Sequence, residues 1–461
     1  MADEKYKAIV IGSGQGGTPL CQALANAGWR TALVEREHVG GTCINVGCTP
    51  TKTMVASGRV AYLARRGADY GVHTGALRID MKRVRKRKRD IVNLFRGGQQ
   101  KRIEATKNLD LIFGEASFVS SKSILVTDKK GKERTLSADY FFINAGCRPS
   151  APPIAGLEDV PYLDSTSIME LGKVPKHLVV IGGGYIGLEF GQLFRRLGAQ
   201  VTVVTSGPQL LDHEDRDVAD EVAKILQQDG IKIFFNVKDE HVKCSGKQIK
   251  IQSGKTSRTI KYSHLLVAAG RKPNTNSLKP SAAGIDVDGH GYIKSNERLE
   301  TNVGNIFVIG DIKGGPAFTH ISYDDFRVLR TNLIENGNAT IKDRMVPYTV
   351  FIDPQLGRVG MTEAEARESG RKIRVAKMAM TSVARALEID ESRGFMKAIV
   401  DAETNQILGA MVLSVEGGEV MSQIEIAMMG KLPFMALRDG VFAHPLWSEA
   451  LNNLFTSHFQ D

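Results

Sequence analysis

Two stretches of the chain carry the same pattern of apolar and polar positions and align without a gap. Residues 6–35 read YKAIVIGSGQGGTPLCQALANAGWRTALVE and residues 176–205 read KHLVVIGGGYIGLEFGQLFRRLGAQVTVVT. Each is an apolar run, a glycine turn, an amphipathic stretch and a second apolar run. The pattern predicts a βαβ unit twice, with glycines where strand passes into helix. In the first unit these are Gly12, Gly14 and Gly17. The first allows the tight turn, the second lets a pyrophosphate approach the backbone, and the third lets helix pack on strand. Glu35 ends the second strand, where a carboxylate accepts ribose hydroxyls. The second unit has Gly182, Gly184 and Gly187, and Thr205 stands where Glu35 stood. No acid there binds a 2′-hydroxyl or repels a 2′-phosphate, and no arginine follows at once. NADPH is therefore the expected nucleotide, with NADH as the alternative. Two dinucleotide sites in one chain indicate an electron relay.

Punctuation farther along sets the expected domains. The segments APPIAG (151–156) and GRKPNTNS (270–277) mark chain crossings. The expected organisation is a first dinucleotide-binding domain over 1–152 that resumes over 271–345, with a second inserted at 153–270. Residues 346–461 read as strands (YTVFIDP, GFMKAIVD, LGAMVLS) followed by helices (GEVMSQIEIAMMG, LWSEALNNLF), an α+β domain. The fold class is α/β, with two Rossmann-like dinucleotide-binding domains and a C-terminal α+β domain.

Composition changes this picture little. The 461 residues are 42% hydrophobic and 24% charged, the balance of a globular chain of roughly two to four domains. No run of about 18 apolar residues predicts a membrane span. The first residues run into a strand pattern with no apolar leader core, so a cytosolic location is expected. The formal charge is +10. Much of it sits in Lys82-Arg83-Val84-Arg85-Lys86-Arg87-Lys88-Arg89, which reads as a solvated helix face. A redox sensor using this run to bind nucleic acid is the alternative of another class, but no aromatic residues interleave the charges.

Five cysteines, Cys21, Cys43, Cys48, Cys147 and Cys244, are too few for a disulfide scaffold. Two of them lie in GGTCINVGCTPTK, residues 40–52. Cys43 and Cys48 in one regular helix would have Cα atoms about 8.6 Å apart. A disulfide needs roughly 4.4–6.8 Å, so the segment must bend if the two are to bond, and Gly47 is a suitable hinge. Thr49 is expected to cap a helix with Pro50 at its first position. Cys48 then lies at a helix N-terminus, which favours a thiolate, and Lys52 adds positive charge. No CxxC or histidine cluster accompanies the pair, so no metal site is expected. Cys21, Cys147 and Cys244 read as structural.

At this point the chain resembles the class I pyridine nucleotide–disulfide oxidoreductases, which include dihydrolipoamide dehydrogenase, glutathione reductase and mercuric reductase. The likeness rests on GGTCINVGCTPTK, VIGGGYIGLEF (180–190), AAGRKPNT (268–275), NIFVIGDIKGGPAFTH (305–320) and FAHPLWSE (442–449). The resemblance implies FAD and NADPH (or NADH) as cofactors, with FAD in the domain 1–152 and 271–345, the nicotinamide nucleotide in 153–270, and 346–461 as an interface and dimerisation domain. It implies that Cys48 is the sulfur nearest the flavin, the charge-transfer thiolate, and that Cys43 attacks substrate. Lys52 and Glu189 would pair near flavin N5, Tyr185 would gate nicotinamide entry, and Asp311 would bind the ribityl chain. Gly41, Thr42, Gly114, Ala145, Gly146, Gly270, Arg271 and Gly310 complete the implied cofactor lining. His444, held by Glu449, would be the acid–base group acting on the disulfide of a second subunit, in a homodimer. Without the family, His444 before a proline reads as a turn residue.

Two departures separate the chain from mercuric reductases. It ends LNNLFTSHFQD without a vicinal cysteine pair, and it has a histidine at 444 where those enzymes typically have tyrosine. Soft metals select paired thiolates. The chain is more similar to the reactive-chlorine-resistance flavoproteins, the hypothiocyanous acid reductases, through FINAGCRPSAPPIAG (142–156), FTHISYDDFRVLR (318–330), VGMTEAEARESG (359–370) and LPFMALRDGVFAHP (432–445). The expected reaction is reduction of a small oxidised-sulfur electrophile. Soft-metal reduction, lipoamide reduction and glutathione disulfide reduction are the alternatives.

Overall fold

A computed structural model describes residues 4–239, 242–253 and 256–460. Residues 1–3 of the sequence reading lie outside it. The chain falls into two compact units: Met1–Met54, Lys82–Ser150 and Gly270–Arg344 form one, and Val55–Met81, Ala151–Ala269 and Met345–Asp461 form the other. Among the described residues no helix is long and apolar enough to cross a membrane.

In the first unit β1 (Glu4–Ile11) leads through the glycine turn into α1 (Gly17–Asn26) and β2 (Thr31–Glu35). The short α2 (Gly41–Val46) and the long α3 (Cys48–Arg65) and α4 (Met81–Glu104) follow, then β3 (Leu109–Phe113), β4 (Glu115–Ser120), β5 (Ser123–Thr127) and β6 (Glu133–Ile143). The sheet order is β3-β2-β1-β6-β5-β4, and Ile306–Val308 also pairs with β6. The pairs of β1, β2, β3, β6 and Ile306–Val308 are parallel, whereas β4 and β5 join antiparallel. Ile9 and Ile11 bury on one face and Ala8 and Val10 on the other. A strand buried on both faces reads as one apolar run, which is why this segment was legible. Ile11 pairs with Val34 and with Ile143. The three strands therefore end level, and Gly12, Glu35 and Asn144 stand side by side at the carboxyl edge, where open α/β sheets bind ligands.

The second unit holds a parallel sheet in the order Ile231–Phe234, Gln200–Val204, His177–Ile181, His264–Val267, with α5 (Tyr185–Leu197) leaving the second glycine turn. It also holds a six-stranded antiparallel sheet ordered Tyr348–Val350, Gln355–Gly360, Ile407–Ser414, Phe395–Asp401, Ile373–Ala379, Phe459–Gln460. The strands Gln355–Gly360 and Ile373–Ala379 were not singled out from sequence. QLGRVG mixes glycines with Arg358, whose side chain is buried by pairing with Glu214. Lys397, buried in Phe395–Asp401, meets Asp215 and Asp217 at 2.9 Å each and Glu363 at 3.1 Å. Long-range ion pairs thus replace the apolar alternation that marks a strand.

Candidate active site

The glycine turn after β1 is built by close backbone approach. Gly12 has φ +100°, and a Cβ there would lie 2.4 Å from the Asn144 carbonyl oxygen. A Cβ on Gly17 would meet the Gly12 carbonyl at 2.2 Å, and one on Gly41 would meet the Gly14 Cα at 2.7 Å. Only hydrogen fits at these points, so the turn exposes backbone rather than side chain to a phosphate. The Glu35 carboxylate accepts from Ser13 N at 3.0 Å, Ser13 Oγ at 2.6 Å and Glu37 N at 2.9 Å, which fixes it at the strand end. Asn144 accepts from Gly17 N at 2.9 Å and donates to the Ile309 carbonyl at 3.1 Å. Ser13 and Asn144 escaped the sequence reading. The signal for Asn144 was available, because a polar residue just past an apolar strand end occupies the same edge as Glu35.

The rest of the proposed lining in this unit is spread along that edge. Gly114 N donates to the Glu35 carbonyl at 2.9 Å. The carbonyls of Ala145 and Gly146 accept from Asn274, and Arg271 donates to the Cys147 carbonyl. Gly310 N donates to the buried Asp325 at 2.7 Å. Burial pushes the Asp311 carboxyl up, against the opposing pull of Arg271 and Lys313. Gly270 precedes the antiparallel pair Arg271–Pro273 with Cys147–Pro149, and its carbonyl accepts from Ser150 N at 3.1 Å.

The two cysteines stand on either side of a helix break. Cys43 and Thr42 lie in α2, Gly47 interrupts it, and Cys48 opens α3. A Cβ on Gly47 would lie 2.8 Å from the Thr42 carbonyl oxygen, so the bend is reserved for glycine. Thr49 does not cap α3 and Pro50 is not its first residue. The helix starts two positions earlier, because the Gly47 carbonyl accepts from Thr51 N at 3.1 Å. Proline is tolerated in the first turn, where amides have no partner inside the helix. The Thr49 hydroxyl instead favours the Cys43 thiolate. Lys52 follows in the second turn.

Thr319, first residue of helix Thr319–Leu333, completes the pair. Its hydroxyl lies 3.3 Å from Cys48 Sγ and is also bonded to Cys43. The hydrogen bond to Cys48 and burial push the Cys43 thiol well up, and Thr319 and Thr49 oppose this. Cys48 is exposed and Cys43 half-buried. Asn45 fastens the redox helix: its amide donates to the Val39 and Gly41 carbonyls at 3.0 and 2.9 Å, and its oxygen accepts from Arg96 of α4 at 2.8 Å. Arg87, also on α4, donates to the Thr53 carbonyl at 2.7 Å. Within the basic run Lys88 is buried, so the run is not a wholly solvated face. Cys21, Cys147 and Cys244 are all buried.

In the second unit Gly182 has φ +120° and a Cβ there would lie 2.3 Å from the Ala268 carbonyl oxygen. A Cβ on Gly187 would meet the Gly182 carbonyl at 2.4 Å, whereas Gly184 faces open space. Thr205 is buried beneath the turn, its hydroxyl 2.7 Å from where a Gly183 Cβ would stand. Tyr185 and Glu189 lie in the first turns of α5, and the Glu189 carboxylate accepts from Phe351 N at 2.9 Å. His444 Nδ1 lies 3.0 and 2.9 Å from the two oxygens of Glu449. That contact holds the ring and leaves Nε2 available. Lys52 belongs to the first unit and Glu189 and His444 to the second.

Both glycine turns, one with Glu35 at the adjoining strand end, have the close backbone approach that dinucleotide phosphates require. The sequence model of the pyridine nucleotide-disulphide oxidoreductases matches residues 6–325, and that of their dimerisation domain matches residues 346–455. The chain belongs to this family. It is 39% identical over 456 residues to the probable pyridine nucleotide-disulfide oxidoreductase RclA of Escherichia coli K12, covering 98% of this chain and 99% of that one. It is 34% identical over 427 residues to mercuric reductase of Lysinibacillus sphaericus, covering 92% and 77%. Among solved structures, the HOCl-induced flavoprotein disulfide reductase RclA of E. coli superposes with a TM-score of 0.89 at 38% identity, covering 98% and 100%. This pyridine nucleotide-disulphide oxidoreductase is thus a flavin-dependent enzyme that uses FAD and NAD(P)H and carries the family's dimerisation domain.

Proposed function

We propose that the enzyme passes electrons from NADPH to the Cys43–Cys48 pair and from there to a small oxidised-sulfur electrophile of the hypothiocyanous acid type. The placement of Cys43 and Cys48 on either side of the break at Gly47, with Thr319 Oγ1 3.3 Å from Cys48 Sγ, carries this reading. Residues 1–152 and 271–345 are assigned to FAD, 153–270 to the nicotinamide nucleotide, and 346–461 to a homodimer interface. Bound FAD supplies the two-electron connection between the nicotinamide and the cysteine disulfide.

The residues divide the remaining work. Cys48 at the start of α3 is favoured as the thiolate, and Cys43 keeps its proton. Cys43 then needs a base, and His444, oriented by Glu449 and contributed by the second subunit, takes that proton. The Cys43 thiolate attacks the electrophilic sulfur of hypothiocyanous acid. The sulfur–oxygen bond breaks, and the departing hydroxide takes the proton from His444 and leaves as water. Cys48 next attacks the Cys43 sulfur, expels thiocyanate and closes the disulfide. Lys52 and Glu189 are assigned to the flavin ring, Tyr185 to the nicotinamide entrance and Asp311 to the ribityl chain.

Steady-state NADPH oxidation against hypothiocyanite, glutathione disulfide, lipoamide, Hg(II), Cu(II) and quinones tests the substrate. Hypothiocyanite is expected to give the highest kcat/KM. A higher value for Hg(II) or lipoamide would move the enzyme to one of the alternative substrate classes. Repeating the assay with NADH checks the expected preference for NADPH.

A further inference from the structure

We infer that the second unit contains a binding site for a phosphate-bearing anion, separate from both glycine turns. A cleft of about 550 Å³ lies among the C-terminal ends of α3 and α5 and the segment 390–393. Five arginines line it, Arg65, Arg66, Arg195, Arg196 and Arg393, against only three carboxylates, Asp229, Asp390 and Glu391.

The pairing is uneven. Arg66 pairs with Asp69 and Asp390, Arg196 with Asp353 and Asp229, and Arg393 with Asp229 and Glu391. Among the described residues Arg65 and Arg195 reach no carboxylate. Arg65 donates to the Arg196 carbonyl, and Arg195 donates to the Asp229 and Ala199 carbonyls at 2.7 and 3.2 Å. These bonds cap helix ends and use a minority of the ten guanidinium hydrogens. The two cations are close enough that Arg195, together with burial, disfavours the charged form of Arg65. Arg196 Nε is buried without a hydrogen-bond partner. Gly198 lines the cleft beside Arg65, where even a Cβ would stay 3.7 Å from the guanidinium.

Two adjacent guanidinium forks lacking counter-charge suit a dianion that accepts several hydrogen bonds at once. A phosphate does this, and a monocarboxylate offers half the charge. The site lies at the opposite end of α5 from the glycine turn at Gly182–Gly184, about 20 Å away for a helix of this length.

Calorimetric titration of the FAD-loaded full-length enzyme, saturated with NADP+ and in chloride buffer, tests the site. Inorganic phosphate, pyrophosphate and adenosine 5′-monophosphate are the probes, and the tightest of them tells a free phosphate from a nucleotide. One saturable site per chain is expected, weakened about tenfold or more by Arg65→Gln or Arg195→Gln. Ser392→Asp keeps every arginine but places a negative charge in the cleft, and it is expected to weaken binding similarly. The inference is overturned if the wild-type enzyme binds none of the probes saturably, or if folded Ser392→Asp binds as tightly as wild type.

Discussion

Thr319 Oγ1 lies 3.3 Å from Cys48 Sγ, joining residues 271 positions apart in the chain. The same hydroxyl reaches Cys43 and opposes the rise of its thiol. Thr319→Val is therefore expected to raise Cys43 further and to slow its alkylation near neutral pH about tenfold, the scale of one hydrogen bond to a charged group. Thr319→Ser is expected to restore the rate. Mass spectrometry of iodoacetamide-labelled reduced enzyme across pH reads this directly.

Cys48→Ala moves Cys43 the other way. Its largest raising influence, the hydrogen bond its thiol donates to Cys48, is gone. A lower thiol pKa means more thiolate at a given pH, so Cys43 in this variant should alkylate faster than in the reduced wild type. Its pH profile should fall toward the ordinary thiol range near about 8.5. An unchanged profile would mean that Cys48 does not govern Cys43.

Gly12→Ala and Gly182→Ala separate the two nucleotides. Each introduces a Cβ within 2.4 Å of a carbonyl oxygen, at a positive φ. Gly12→Ala is expected to purify without flavin colour. Gly182→Ala is expected to keep its flavin and raise the KM for NADPH at least about tenfold, the loss of one or two backbone contacts to phosphate. Absorbance at purification and steady-state kinetics distinguish the two.

Legibility in the sequence followed the range of the interactions. The βαβ frames were plain because β1 and His177–Ile181 bury both faces locally and turn on glycines. The bend between Cys43 and Cys48 was legible from spacing alone, since one helix would hold the sulfurs too far apart. Thr319 was not, because nothing near it in the chain reports a contact to a cysteine 271 residues away. Strand Gln355–Gly360 was hidden for the same reason, since Arg358 looks solvated until Glu214 is placed beside it. The start of α3 was misplaced because Thr-Pro imitates a cap, whereas a backbone bond from Thr51 to Gly47 sets the boundary.

Lys397 is buried and contacts Asp215, Asp217 and Glu363. Burial alone would raise Asp215 and Asp217, and their bonds to Lys397, with Lys377 also on Asp217, outweigh it and leave both carboxyls below the usual range. A depressed carboxylate stabilises the fold above its unfolded pKa, and that contribution is lost as pH falls through the folded value. Lys397→Met removes the buried cation these carboxylates share and should destabilise by about 3–5 kcal/mol at neutral pH. The loss should shrink as pH falls below about 4. Denaturant melts at pH 7 and pH 4 check both statements.

His444→Ala and Glu449→Gln test the proton path. His444→Ala is expected to slow electrophile reduction by about 10²–10⁴-fold while NADPH still reduces the enzyme at the wild-type rate. Glu449→Gln should act in the same direction and less severely, since the imidazole remains but loses its carboxylate. Stopped-flow measurement of the two half-reactions separates them. Equal slowing of both would remove His444 from the acid–base role.

The most direct measurement follows the tryptic peptide 37–52, which contains both Cys43 and Cys48. FAD-loaded enzyme is reduced anaerobically with one equivalent of NADPH, then given one equivalent of hypothiocyanous acid, and sampled by alkylation and mass spectrometry at each stage. The account predicts a disulfide at the start, two alkylated cysteines after NADPH, and the disulfide again after the electrophile, with thiocyanate released. Turnover that continues while this peptide stays in one state, or that survives Cys43→Ser with Cys48→Ser, would contradict it.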